Sequence, residues 1–597
     1  MPKKPTSRIA KFLIWRYKHI SKKQFINILS AILGLLAGLG AVILKNLTHF
    51  IQRVLEGKYI GEYHKAAYFI FPLIGLFFVI IIIKYVVKKK IGHGIPSTLY
   101  AISKLKSIMP SHQMWGSLLT APLTVGFGGS VGLEGPTVAT GASIGSNVAR
   151  FFHLNQTTRN LLVGAAAAGA MSSIFKAPIA GIVFAVEIFS LDLTLFSMVP
   201  LLIASITAIL TSYFFLGEDI LLHFPKNNVT FDLHDALFYA LLGITSATTS
   251  LYFSKVYFKV SDFFEKFANP YKRLIIGGLL IGIIVYFIPP LFGEGYETVN
   301  QILRGNIDQV ISSNYLGFSA DSFWVVVIFL VGLVTFKVVA MSITFGAGGI
   351  GGVFAPTLFT GSVSGFVFAY IINSFNLFNH PLSTNNFALA GMAGLMAGVL
   401  QAPLTAIFLI AEITNGYDLF VPIMITASIS FLIVRRYIPY NIYAAELAQK
   451  GELLTHDKDK TVLSMMDLNK IVEKNFITVT PDLKLGEMLS KAVTKSKRNI
   501  YPVVGDDKCF LGIVLLDDIR DIMFNVKLQN ETFVSNYMHA APEVIYYNTD
   551  TMEDIMQKFQ NSSAWNLPVV KDDKYYGFIS KSKLLTVYRR KLIEVTN

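Results

Sequence analysis

The sequence predicts an all-α polytopic membrane domain, made of two inverted repeats with broken helices, followed by a small α/β cytoplasmic domain. Three observations predict it. Of 597 residues, 53% are apolar and 13% aromatic, and mean hydropathy is +0.53, as in a chain with many spans and a soluble appendage. A glycine-rich block recurs 220 residues along the chain, and a second apolar block repeats with it. The apolar character then ends near Arg435-Arg436.

Residues 1–24 carry eight Lys/Arg and no acid, and Lys88-Lys89-Lys90 closes the second long apolar run. Positive charge stays in the cytoplasm, so the chain is expected to cross twice between these clusters, with both termini inside the cell. The first apolar run has spanning length and no A-x-A site, which argues against a cleaved signal. The net charge of +14 sits at membrane edges and is no nucleic-acid footprint. A single Cys509 excludes internal disulfides and cysteine-built metal clusters.

Apolar runs lie near 25–45, 67–87, 161–187, 193–216, 235–257, 273–291, 322–341, 352–373, 386–411 and 419–434. Several reach the ~20 residues of a spanning helix. Others are broken by Gly or Pro, which a membrane tolerates only where the backbone is buried in protein or lines a polar cavity.

Residues 128–145 match 348–365 at eight of eighteen positions, and 165–188 match 390–413 at nine of twenty-four. The first pair holds Gly128-Gly129-Ser130-Val131-Gly132-Leu133-Glu134-Gly135-Pro136-Thr137 and Gly348-Gly349-Ile350-Gly351-Gly352-Val353-Phe354-Ala355-Pro356-Thr357. Paired, glycine-interrupted apolar segments in two halves point to a transport site near the membrane midplane. A Glu there is a functional residue by default, because charge in hydrocarbon is costly. Pro136 and Pro356 suit the first turn of a helix, so both loops should open helices whose positive N-termini attract an anion. Close-packing glycines alone would not account for Glu134.

After Arg436 the tail repeats itself. Asn499–Lys508 with Leu511–Val514 is echoed by Asn566–Lys574 with Tyr576–Ile579. Each unit reads strand, helix, strand, turn at Asp-Asp-Lys, strand, helix. Units this small should pack on each other. We place a linker at 437–475 and the two units at 476–525 and 537–590.

A third glycine element, Gly92-His93-Gly94-Ile95-Pro96, follows the lysine cluster. With G-S-x-G-x-E-G-P at 129–136, G-G-x-F-A-P at 351–356 and Tyr443 in Asn441-Ile442-Tyr443, the chain resembles the chloride channel/transporter (CLC) family with a C-terminal pair of CBS domains. The resemblance implies a homodimer in which each protomer has its own anion pathway. It implies that Glu134 is the external gating glutamate, competing with chloride for the same N–H donors and leaving when protonated. It places Gly132, Val353 and Phe354 at the anion through their backbone, and Tyr443 through its phenol. An interfacial tyrosine is the plain alternative for Tyr443.

Two departures bear on mechanism. His93 stands where the family carries an anion-touching Ser, which puts selectivity among chloride, nitrate and fluoride in question. The run Ala177–Glu187 is followed by Ile188, where many exchangers carry a proton-relay glutamate. Ile188 favours gated, channel-type chloride conduction, with chloride/proton exchange as the alternative. Glu187, repeated as Glu412, reads as a structural carboxylate hydrogen-bonded to loops or helix ends.

CBS pairs often hold an adenine nucleotide, here through Asp518 and Ser580, but Leu515 and Lys583 leave both half-sites incomplete. A nucleotide sensor anchored in the membrane is the remaining alternative, and the intact Glu134 motif opposes it. Gly346–Gly351 spells G-x-G-x-x-G without the strand a dinucleotide site needs. No P-loop, H-E-x-x-H or other catalytic constellation is present, so an enzyme is not expected. The expected partners are a small anion, protons, lipid and a second copy.

Overall fold

The computed structural model describes residues 15–16, 18–55, 64–92, 94–191, 194–217, 222, 231–313, 316–318, 322–375, 381–414, 418–445, 462–463 and 466–596. The chain divides into two compact units, 1–453 and 454–597.

The secondary structure described in the first unit is almost all helical. Its first half runs α1 (Lys22–Leu55), α2 (His64–Ile81, continuing as a π turn to Val87), α3 (Ile95–Lys104), α4 (Gln113–Gly126), α5 (Glu134–Phe151), α6 (Gln156–Phe175), α7 (Pro178–Phe189) and α8 (Leu195–Leu216). The second half runs α9 (Ala236–Glu265), α10 (Pro270–Phe287), α11 (Tyr296–Leu303), α12 (Ile307–Ser312), α13 (Phe323–Gly346), α14 (Phe354–Ser374), α15 (Thr384–Leu400), α16 (Pro403–Ile413) and α17 (Phe420–Tyr437). Among the described residues, eight helices are long and apolar enough to cross a membrane.

The apolar runs 161–187 and 386–411 each break into two helices at an Ala-Pro step. Lys176 and Gln401 take left-handed φ of 54° and 50° at those breaks, and Pro178 and Pro403 open the following helices. Proline cannot continue a helix but fits its first turn.

The two halves are joined by reciprocal hydrogen bonds. Gly132 N–H donates to Gly352 O (2.9 Å) and Gly352 N–H to Gly132 O (2.8 Å). Ser130 N–H donates to Thr344 Oγ1 (3.2 Å) and Ile350 N–H to Thr124 Oγ1 (3.0 Å). At the far ends of α7 and α16, Glu187 accepts from Leu404 and Thr405 N–H (3.1 and 2.8 Å), while Glu412 accepts from Ile179 and Ala180 N–H (3.0 and 2.8 Å). Each carboxylate caps the other helix's N-terminus, an exchange that only antiparallel helices related by a two-fold can make. The structural role read for Glu187 and Glu412 is what the geometry shows.

The second unit is the small α/β domain: α18 (Leu468–Ile471), α19 (Leu485–Met488), β1 (Ile500–Val504), β2 (Phe510–Leu515), α20 (Leu516–Ile519), α21 (Val526–Glu531), β3 (Ile545–Tyr546), α22 (Met552–Ser562), β4 (Asn566–Lys571), β5 (Lys574–Ser580) and α23 (Lys581–Thr596). β1 and β2 pair antiparallel, β3 and β4 parallel, and β4 and β5 antiparallel. Asp572 and Asp573 turn the β4–β5 hairpin at φ of 52° and 60°, the twist that a two-residue hairpin favours. The two halves of this unit pack together through the Phe476–Phe578 rings (centroids 4.6 Å) and the Ile513–His539 bridge. Val462, Met466, Ile471 and Val472, within the segment read as linker, lie in the core of the second half. A short apolar segment before one repeat thus completes the other.

Candidate functional site

Three helix starts meet in the first unit. α3, α5 and α14 open behind Gly94, at Glu134 and behind Val353. A Cβ on Gly94 (φ 71°) would lie 2.8 Å from the Gly135 carbonyl carbon, and one on Gly352 would lie 2.7 Å from Gly135 N. No side chain fits at these backbone contacts, which is why glycine occupies them. Each helix start contributes N–H groups without intrahelical acceptors and a partial positive charge. Three of them in a buried space favour an anion.

The carboxylate of Glu134 occupies that space. It is 1% exposed, and its Oε1 accepts a hydrogen bond of 2.5 Å from the Tyr296 hydroxyl. Its Oε2 has no hydrogen-bond partner. It lies over Gly132, where a Cβ would stand 2.0 Å away, and close to the backbone N–H of Ala355 at the start of α14.

The position of Gly132 corrects one expectation. Its N–H is spent on Gly352 O, so Gly132 is not a donor to an anion. Its contribution is the absent Cβ that admits the carboxylate. The neighbouring Leu133 N–H is also taken, by Glu294 Oε1 at 3.0 Å.

Val353 and Phe354 stand where α14 begins, with the Phe354 ring packed 5.2 Å from Phe175 and 6.4 Å from Phe184. Tyr443 is 4% exposed, its hydroxyl has no hydrogen-bond partner, and it lies within electrostatic reach of Glu134. Asn441 fixes this segment by accepting from Tyr443 N–H (3.1 Å) and Ala444 N–H (2.8 Å). A buried hydroxyl left unpaired is costly, and an anion would relieve it. Tyr443→Phe should therefore weaken chloride binding about 10- to 100-fold, the value of one hydrogen bond to a charged group. Unchanged affinity by calorimetry in the folded variant would return Tyr443 to a packing role.

His93 lies outside the described residues. Ile188 sits on α7, 6% exposed in an apolar setting. In the second unit, Asp518 Oδ2 accepts from Leu515 N–H (2.8 Å) and contacts His539 Nε2 (2.6 Å). Ser580 Oγ donates to Glu473 (2.7 Å) and caps α23 by accepting from Lys583 N–H (3.3 Å). Asp518 Oδ2 and Ser580 Oγ are thus both engaged in contacts within this unit.

Sequence reasoning passed over Tyr296, Glu294 and Lys337. Lys337 is fully buried on α13, its Nζ donating to Gly293 O (2.8 Å) and lying 4.9 Å from the Phe359 ring centroid. A lone charge inside an apolar run was a readable signal.

Residues 75–435 match the family model described as voltage gated chloride channel, and residues 468–525 and 534–590 match the CBS domain. The chain is 28% identical over 420 residues to the H(+)/Cl(-) exchange transporter ClcA of Vibrio cholerae, covering 67% of this chain and 84% of that protein. It is 28% identical over 445 residues to the protein of the same name from Vibrio vulnificus, covering 71% and 89%. Among solved structures, a slow cyanobacterial Cl-/H+ antiporter superposes with TM-score 0.60 at 23% identity, covering 71% of this chain and 97% of the other. A eukaryotic CLC transporter superposes with TM-score 0.58 at 16% identity, covering 94% and 97%. At these identities the structural likeness carries the fold alone.

Proposed function

The chain belongs to the voltage gated chloride channel (CLC) family and carries two CBS domains, and from that premise we propose that it exchanges chloride for protons across its membrane. One observation carries this reading. The Glu134 carboxylate fills the meeting point of the helix N-termini, so it competes directly with an anion for that space. Protonation removes its charge, and with it the attraction that holds it there. One group then serves as gate to chloride and as carrier of the proton. Val353 and Phe354 N–H and the unpaired Tyr443 hydroxyl are the donors we assign to the anion on the far side.

Ile188 favours a channel when the sequence is read alone. The relatives named as exchange transporters weigh the other way, and they turn the reading to exchange. Protons then reach Glu134 from the cytoplasm by a route that does not use a carboxylate at position 188. We place the protein in the cell membrane as a homodimer with both termini cytoplasmic.

Proteoliposomes carrying a chloride gradient and no pH gradient test the reading. Exchange predicts that chloride drives protons uphill; chloride flux without proton movement would restore the channel.

For the CBS pair we propose a structural role. Millimolar ATP or AMP should leave the melting temperature of the full-length protein unmoved, since a ligand that binds only the folded state must raise it. A rise that Asp518→Ala abolishes would assign a nucleotide site instead.

A further inference from the structure

The loop before α11 repeats the loop before α3. Gly293-Glu294-Gly295-Tyr296 stands to α11 as Gly92-His93-Gly94-Ile95 stands to α3, each following the second long helix of its half. Gly94 and Gly295 share positive φ, 71° and 86°. The duplication therefore extends beyond the blocks that still match in sequence, and it supplies a second glycine loop to the site. This second loop brings no apolar residue to its helix start. It brings a phenol.

That phenol donates to Glu134 Oε1 at 2.5 Å. Its loop is fixed from below by buried Lys337, which donates to Gly293 O (2.8 Å), and packs so closely that a Cβ on Gly295 would lie 3.2 Å from Lys337 Nζ and 2.6 Å from the Phe359 ring. Glu294 ties the loop to α5 through Leu133 N–H (3.0 Å). A cavity of about 1060 Å³, lined in part by Leu133, Glu294, Tyr296, Lys45, His49 and Arg53, opens onto the loop. Tyr296 thus stands between this cavity and the Glu134 carboxylate.

We propose that Tyr296 is a positioning residue for transport, an outer latch whose hydroxyl holds the ionised Glu134 carboxylate in the anion pathway. The proposal rests on Glu134 as the gate. A hydrogen bond to a carboxylate stabilises its charged form and weakens when the carboxyl is protonated. The latch therefore sets how acidic the outside must be before the pathway opens. The other titratable groups facing Glu134 are Lys337 from α13, Glu294 from the loop before α11, and Tyr443 from the segment after α17. Lys337 supports the charged form and Glu294 opposes it. Neither touches the carboxylate as Tyr296 does.

The test is the external-pH profile of chloride flux in proteoliposomes for wild type, Tyr296→Phe, Glu134→Gln and the double variant. Tyr296→Phe should move half-maximal flux about one pH unit to the alkaline side and raise flux at neutral pH several-fold. In the Glu134→Gln background the same change should do nothing. Incorporating 3-fluorotyrosine at position 296, a stronger donor, should move the profile the opposite way, and it keeps the test open should the phenylalanine variant fold poorly. An unmoved profile in both, or an equal shift without Glu134, overturns the latch. A pH profile that survives in Glu134→Gln alone overturns the gate itself, so the two failures are distinguishable.

Discussion

Glu134→Gln should conduct chloride at or above the wild-type rate, move no protons, and lose its dependence on external pH. The amide keeps the size of the carboxyl and cannot carry a proton or a negative charge. It therefore loses its attraction for the helix N-termini that meet at Gly94, Gly135 and Gly352, and chloride no longer has a charged competitor. Glu134→Ala should behave alike, because the effect comes from removing charge rather than from shape. Proton transport is the larger loss, since the coupled step disappears altogether. A folded Glu134→Gln protein that moves no chloride would show that the carboxylate is needed by the pathway rather than blocking it.

The double variant Glu187→Ala with Glu412→Ala should fail to give a stable, monodisperse protein. Each carboxylate accepts two backbone N–H groups at the start of the opposite helix, and Glu187 also accepts from the Thr405 hydroxyl (2.6 Å). A hydrogen bond to a charged group contributes about 1.5–3 kcal/mol, and removing the acceptor leaves the donors without a partner. Either single variant should lower the melting temperature, and the pair should lower it further. Wild-type stability in the double variant would show that the reciprocal caps are not what joins the halves.

The repeat explains how much of this was legible in the sequence. Glycine is forced in both halves, at Gly128/Gly348 by positive φ of 94° and 95°, and at Gly145/Gly365 by backbone carbonyls that a Cβ would meet at 2.6 and 2.1 Å, so these pairs survive as a pattern. The paired Ala-Pro breaks and the Glu187/Glu412 caps are equally constrained, and the sequence announces them. The relation between Gly92–Ile95 and Gly293–Tyr296 is not announced, because only the glycines are shared and the side chains have diverged to different tasks. Gly132 shows the converse. Its motif marks the site, but whether its N–H faces an anion or the opposite strand of backbone is a matter of register between segments 220 residues apart. The tail is similar: that Asp518 Oδ2 meets His539, 21 residues on, is visible only once the two segments are folded together.

In the proposed mechanism the Glu134 carboxylate and the anion compete for one space, and a proton decides between them. Proton uptake on chloride binding measures it directly, in weakly buffered detergent solution with a pH electrode. Chloride that displaces the carboxylate must favour its protonated form, so wild type should take up protons along the chloride-binding curve, and Glu134→Gln should bind chloride with none. Chloride binding without proton uptake in wild type, or undiminished uptake in Glu134→Gln, would contradict the account.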